Sequence, residues 1–189
     1  MMLRTFPQTR DLSQSRRLIG IVAFTMITII AARLKIPMEP VPFTMQPFAV
    51  LLAGMILGSR DGALSQAAYV GLIALGLPFD ANMRGTAALF GATGGYLIGF
   101  IVAAGVVGLL VERAGSRFWQ RWLAGIVGIV IIYIFGIYVL KNVTAMDWSA
   151  AWSSGVGPFL VPDMIKAVIA AGIAEGGRTL LGRFLNPQV

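Results

Sequence analysis

Six apolar runs, near 18–32, 43–58, 62–77, 87–111, 119–140 and 156–181, occupy most of this chain. They constrain the fold before any other feature does. A backbone placed in hydrocarbon must satisfy its own hydrogen bonds, so runs of this length and apolarity read as helices. Only 12% of the 189 residues are charged against 57% hydrophobic, about half the charged share of a typical soluble domain. The expectation is an all-α integral membrane protein with six transmembrane helices. Residues 18–181 form its single transmembrane domain, between a basic tail at 1–17 and a short tail at 182–189.

Run 18–32 follows a basic tail and ends on Ala31-Ala32, so it mimics a cleavable secretory signal. Five further runs favour an uncleaved first span. Runs 43–58 and 62–77 are short against the ~20 residues that cross a bilayer. Six spans is the preferred reading, with a re-entrant pair buried in protein as the alternative.

Lysine and arginine positions set the orientation. With the N-terminus inside, the inner segments hold ten of them: four in the tail, Arg60, Arg113, Arg117, Arg121, Arg178 and Arg183. The outer loops hold four, Arg33, Lys35, Arg84 and Lys141. This bias puts both termini in the cytoplasm of a multi-pass cell-membrane protein. The net charge of +7 is therefore topological, with no nucleic-acid partner implied, and membrane lipids are the surroundings. Trp119, Trp122, Trp148 and Trp152 sit where interfacial anchors belong.

The chain has no Cys and no His. Thiol nucleophiles, imidazole bases and the soft or imidazole ligands of zinc, copper or haem sites are absent. No metal site and no cofactor are expected.

Against that background Asp163 and Lys166 stand out, three residues apart at the start of an otherwise uncharged run. Ionisable groups inside a membrane segment are expensive and mark function by default. On a helix the two share a face; the bland alternative is an internal ion pair. On the predicted topology the start of the last span faces outward. So do the Pro-rich segment 36–47, which continues the loop 33–42 read as stiff and largely extended, and the 78–91 loop. An outward-facing site capped by these two loops follows. Thr44 and Gln46 in the first loop, and Asn82 and Arg84 in the third, are the polar groups that converge there.

Small residues repeat every four positions at Gly91, Gly95, Gly99 and Ala103, and again at Ala63, Ala67 and Gly71, which lets helices approach closely. Gly94 and Gly95 also permit backbone approach to a ligand, next to the flat face and hydroxyl of Tyr96. Thr28 and Ala32 offer a weaker small face on the first span, for docking a separate subunit or for self-association.

Several of these segments resemble one family in order. They are Pro-Val-Pro-x-Thr-x-Gln at 40–46, Leu-Ala-Gly-Met-Ile-Leu-Gly at 52–58 and Gly-Leu-Pro at 76–78. Gly-x-Thr-Gly-Gly-Tyr-Leu-Ile-Gly-Phe follows at 91–100, then Pro-Phe-Leu-x-x-Asp-x-x-Lys at 158–166. Together they look like BioY, the biotin-binding S component of energy-coupling-factor vitamin importers, over roughly residues 20–175. The pattern departs at Pro-Phe-Asp (78–80), where the family has Pro-Val-Phe, and at Gly-Ala-Thr (91–93), where it has Gly-Pro-Thr.

The resemblance implies biotin uptake by a six-helix bundle that holds the vitamin beneath loops 1 and 3. It also implies a separate transmembrane coupling subunit and ATPases, and this chain carries no Walker A sequence of its own. Asp163 and Lys166 fall on the family's binding pair, Gly94, Gly95 and Tyr96 on its fourth-helix motif, and Gln46 on its first loop. Chemically, Asp163 suits a ureido N–H and Asn82 the ureido oxygen, while Lys166 or Arg84 suits the carboxylate. Tyr96, Phe90 or Phe159 suits the bicycle. Capture and release need no bond broken, so no enzyme is expected. The competing readings are an S component for a different vitamin, a membrane enzyme acting on a lipid-like substrate, and a scaffold or small channel. Against the enzyme stand the missing His and Cys and the single intramembrane acid.

Overall fold

The first run folds as helix α1 (Gln14–Arg33). It leads into two short antiparallel strands, β1 (Lys35–Ile36) and β2 (Phe43–Thr44), paired Lys35 to Thr44 and Ile36 to Phe43. Helix α2 (Gln46–Ala74) follows, then the short α3 (Ala87–Phe90), α4 (Gly94–Ala114), α5 (Phe118–Thr144), α6 (Trp148–Gly155) and α7 (Leu160–Leu185). This computed structural model describes residues 14–114 and 117–185, with side chains in α7 described as far as Gly176. Residues 1–13 and 186–189 of the predicted tails lie outside the described residues.

Runs 43–58 and 62–77 meet in α2, which is not straight. Gly58 has φ +82° and ψ −175°, a region that essentially only glycine enters. The chain reverses there. Gln46 Nε2 donates to the Tyr69 hydroxyl at 2.7 Å, although a straight helix would separate these residues by about 35 Å. A Cβ on Gly62 would lie 3.0 Å from Gly54 Cα, so the arms 46–57 and 59–74 pack face to face. The Glu112 carboxylate at the end of α4 caps the second arm, accepting from Ser59 N at 2.6 Å and from the Ser59 hydroxyl. An anion suits this position, where the arm's first N–H groups lack partners. Arg17 of α1 clamps the same end through two bonds to Asp61, at 2.6 and 2.9 Å.

Helix α4 is the centre of the bundle, packed most extensively against α2 and α5. Its small-residue face works as the spacing predicts. Gly95 sits against the Phe135 carbonyl, Gly99 against Ile132, and buried Ala103 against Gly128 of α5. On the other side Gly108 abuts Gly58 and Ser59, and Ala104 abuts Gly54. In hydrocarbon such contacts stabilise by packing alone, since lipid tails remove the usual hydrophobic drive.

Several sequence boundaries move. The fourth span begins at Gly94, not residue 87, because Gly91-Ala92-Thr93 breaks the helix after α3; Gly91 is therefore outside the α4 stripe. The last span begins at Leu160, and α6 precedes it, bent by 47° from the described part of α7. The Pro-rich segment holds the β1–β2 pair where an extended loop was expected. Thr28 and Ala32 are fully buried against the interior, with Thr28 bonded to Gln66, so that face is not available for a partner. The exposed side of α1 carries Leu18, Ile19, Val22, Met26 and Ile30 instead.

Among the described residues α1, α2, α4 and α5 are long and apolar enough to cross a membrane; α6 with α7 makes a fifth candidate.

Candidate substrate-binding site

Asp163 enters the first turn of α7, where the helix N-terminus favours an anion. Pro162 fits that turn because its missing N–H has no intrahelical partner there. One turn on, Lys166 lies on the same face, and its Nζ donates to Asp163 Oδ1 at 2.6 Å. Both residues are buried, at 2% and 5% exposure. An unpaired charge there would be prohibitive, and each charge is balanced by the other. Asp163 Oδ2 accepts from the Tyr133 hydroxyl of α5 at 2.7 Å. Lys166 Nζ donates a second bond to the Thr44 carbonyl of β2 at 2.7 Å and sits 3.8 Å from the centroid of the Phe43 ring.

These groups line a small cavity of about 60 Å³ that opens to the surface. Its walls are Tyr96, Leu97 and Phe100 of α4, Ile132 and Tyr133 of α5, and Phe159 just before α7. Phe43 stacks on Phe159 with centroids 6.3 Å apart. The Tyr96 hydroxyl is committed to the Gly155 carbonyl at 2.8 Å, so its ring is what it offers the cavity. Residues 41–44, Gln46 and Pro47 close one side, and Asp80, Ala81 and Asn82 close another.

The two covering loops are tied to each other and to the bundle. Arg33 donates to the Pro78 carbonyl and, at 3.2 Å, to that of Asp80. Lys35 Nζ donates to Asn82 Oδ1 at 2.9 Å. The Tyr69 hydroxyl takes the Gln46 amide and donates its own proton to the Phe79 carbonyl at 3.1 Å. Asp80 shapes the third loop by accepting from Asn82 N and Gly85 N. Gln46 also accepts from the Thr44 hydroxyl, which completes a buried polar cluster under β2.

Of the residues singled out in the sequence, Asp163, Lys166, Tyr96, Thr44, Gln46, Asn82 and Phe159 come together around this cavity. Four do not. Gly94 and Gly95 are buried against the Leu89 and Phe135 carbonyls, so their missing side chains serve chain packing. Phe90 lies on α3 with 77% of its surface exposed, and exposed Arg84 is not part of the lining. Tyr133, Phe43 and Asp80 join the lining without having been singled out. Tyr133 sits within a long apolar run and carries no local signal; its partner is 30 residues away. Phe43 falls inside the first-loop motif, at its variable position.

Comparison with known proteins points the same way. A "Biotin transporter BioY" of Thermotoga maritima is 47% identical over 160 residues, 84% of this chain and 94% of the relative. A "Probable biotin transporter BioY" of Pyrococcus horikoshii is 38% identical over 156 residues, 82% and 91% of the two chains. The crystal structure of the S-component for biotin from an ECF-type ABC transporter superposes with a TM-score of 0.81. It covers 88% of this chain and 92% of its own at 23% identity, a likeness of fold. The BioY family matches residues 6–183, and with that extent of match this chain belongs to the BioY family.

Proposed function

We propose that this protein is the substrate-binding membrane subunit for biotin uptake, capturing the vitamin at the outer face without covalent chemistry. The observation that carries the reading is the buried Tyr133–Asp163–Lys166 cluster at the wall of an aromatic cavity beneath two tethered loops. It stands in a family whose relatives are named biotin transporters. A ureido ring is neutral, flat and rich in polar atoms. Each Asp163 oxygen keeps a lone pair beyond its present bond, so a ureido N–H can add to it. The Asn82 amide supplies a donor on the loop side of the cavity, and Phe43, Tyr96 and Phe159 flank the bicycle and thioether.

The reversal at Gly58 supports six crossings, with the arms of α2 as two short ones. The lysine and arginine bias places the cavity mouth outside and both termini in the cytoplasm of the cell membrane. A coupling subunit and ATPases supply the energy in this reading, as the description of the structural neighbour as part of an ECF-type ABC transporter indicates for that protein.

Cysteine labelling tests orientation and ligand together, on a chain with no native Cys. In intact cells Asn82→Cys reacts with an impermeant thiol reagent, and saturating biotin slows the reaction. Ser116→Cys stays unreactive until the membrane is opened. The reverse pattern, or Asn82→Cys labelling that biotin does not change, contradicts the outward-facing site.

A further inference from the structure

We infer that Lys35 is the cation that receives the ligand's terminal carboxylate at the mouth of the cavity. The inference rests on the biotin reading above and names a contact that reading leaves open. Biotin needs two polar ends served, a ureido ring and a carboxylate at the far end of an apolar chain.

The inner end of the cavity has no cation to give. Lys166 directs its ammonium at Asp163 Oδ1 and the Thr44 carbonyl, with the Phe43 ring 3.8 Å away, so its charge is already balanced by Asp163. Two other candidates are also ruled out. Arg84 is exposed and, among the described residues, shows no hydrogen bond to a lining residue, whereas Lys35 holds Asn82. Arg33 is held by the Pro78 and Asp80 carbonyls.

Lys35 is placed differently. It pairs directly with Thr44 across the β1–β2 strands, and directly opposed residues project their side chains from one face. Thr44 lines the cavity; Lys35 is not itself part of the lining, but it reaches the rim through a residue that is. Its half-buried side chain ends 2.9 Å from Oδ1 of Asn82, itself a lining residue. Among the described residues the ion pairs are Arg17–Asp61 and Asp163–Lys166; Lys35 has no carboxylate partner. The nearby Asp80 carboxylate is taken up by the backbone N–H groups of Asn82 and Gly85. Lys35 thus holds one bond to a neutral amide and two free donors at the cavity rim. A carboxylate arriving there replaces an ion–dipole contact with a charge-assisted pair, the stronger of the two. The ligand therefore lies with its ureido ring inward and its acid at the strand pair, and a free acid is preferred over an ester or amide.

Equilibrium binding of biotin and of biotinamide, which lacks the charge, to purified parent, Lys35→Met and Lys35→Arg protein tests this. The parent prefers biotin. Lys35→Met weakens biotin by about fivefold to tenfold, the low end for a charged hydrogen bond at a partly exposed rim. It leaves biotinamide unchanged, and Lys35→Arg retains the preference. Equal loss of both ligands in Lys35→Met, no loss of either, or a parent that binds the two alike overturns the assignment of Lys35 alone. A parent that binds neither ligand overturns the biotin reading and this inference with it.

Discussion

Asp163→Asn lowers the stability of the detergent-solubilised protein by about 3–5 kcal/mol, because it strands a buried ammonium. Lys166 is 5% exposed, and its remaining partners, a carbonyl and an aromatic ring, are neutral. The new amide oxygen would still accept from Tyr133, so the loss is one of charge balance more than of hydrogen bonding. Replacing both residues, Asp163→Asn with Lys166→Met, removes the stranded charge and recovers most of the stability. Binding behaves otherwise. If Asp163 accepts a ureido N–H, the single change weakens biotin by roughly 1–3 kcal/mol, and the double mutant does not regain it however stable it is. Thermal unfolding and equilibrium biotin binding on the same preparations separate the two roles. A double mutant that is stable and binds biotin like the parent would assign the pair to structure alone.

The second large effect concerns the α4–α5 seam. A side chain at Gly95 meets the Phe135 backbone carbonyl and the Val139 Cβ, neither of which can turn away. Gly95→Val must push the two helices apart at the level of Tyr96, at a cost near or above the ~3 kcal/mol upper end for overpacking. Gly71 is the control. It belongs to the same kind of small-residue repeat, yet nothing lies within 4 Å of the position its Cβ would take. Gly71→Ala is neutral or stabilising by up to roughly 1 kcal/mol, the helix-propensity difference. Unfolding temperatures in one detergent decide it. Comparable losses at both positions would mean that the stripe on α4 is not where the helices touch.

The contrast between these glycines shows what the sequence could and could not say. Four-residue spacing marks a surface along which helices can approach, and that was legible for Gly95, Gly99 and Ala103. It does not say which repeat is used, and Gly71 and Thr28 are indistinguishable from the rest until the arms of α2 are in place. The acid–base pair was legible for a stronger reason. Two opposite charges at i and i+3 in an apolar run have few ways to be tolerated, and the observed pairing is one of them. Tyr133 was not legible, since a tyrosine in an apolar helix fits a core or an interface equally well until its neighbour across the bundle is known. The reversal at Gly58 had a signal: a glycine followed by Ser-Arg-Asp interrupts two runs each too short to span. The strand pair and α6 had little. Two-residue strands give no alternation to read, and Trp148–Gly155 mixes serine, alanine and tryptophan without a clean apolar period. The cation at the rim was hidden for a related reason. Lys35 reads as one more positive residue at a span end, and only its bond to Asn82, 47 residues away, brings it to the cavity rim.

The central claim is that this chain alone holds biotin in the cavity beside Asp163. Calorimetric titration of the purified, detergent-solubilised protein with biotin tests it most directly, with Asp163→Asn/Lys166→Met as the stable comparison. The account predicts saturable binding of one biotin per chain by the parent and markedly weaker binding by the double mutant. A parent that is folded by thermal unfolding yet shows no saturable biotin binding would contradict it.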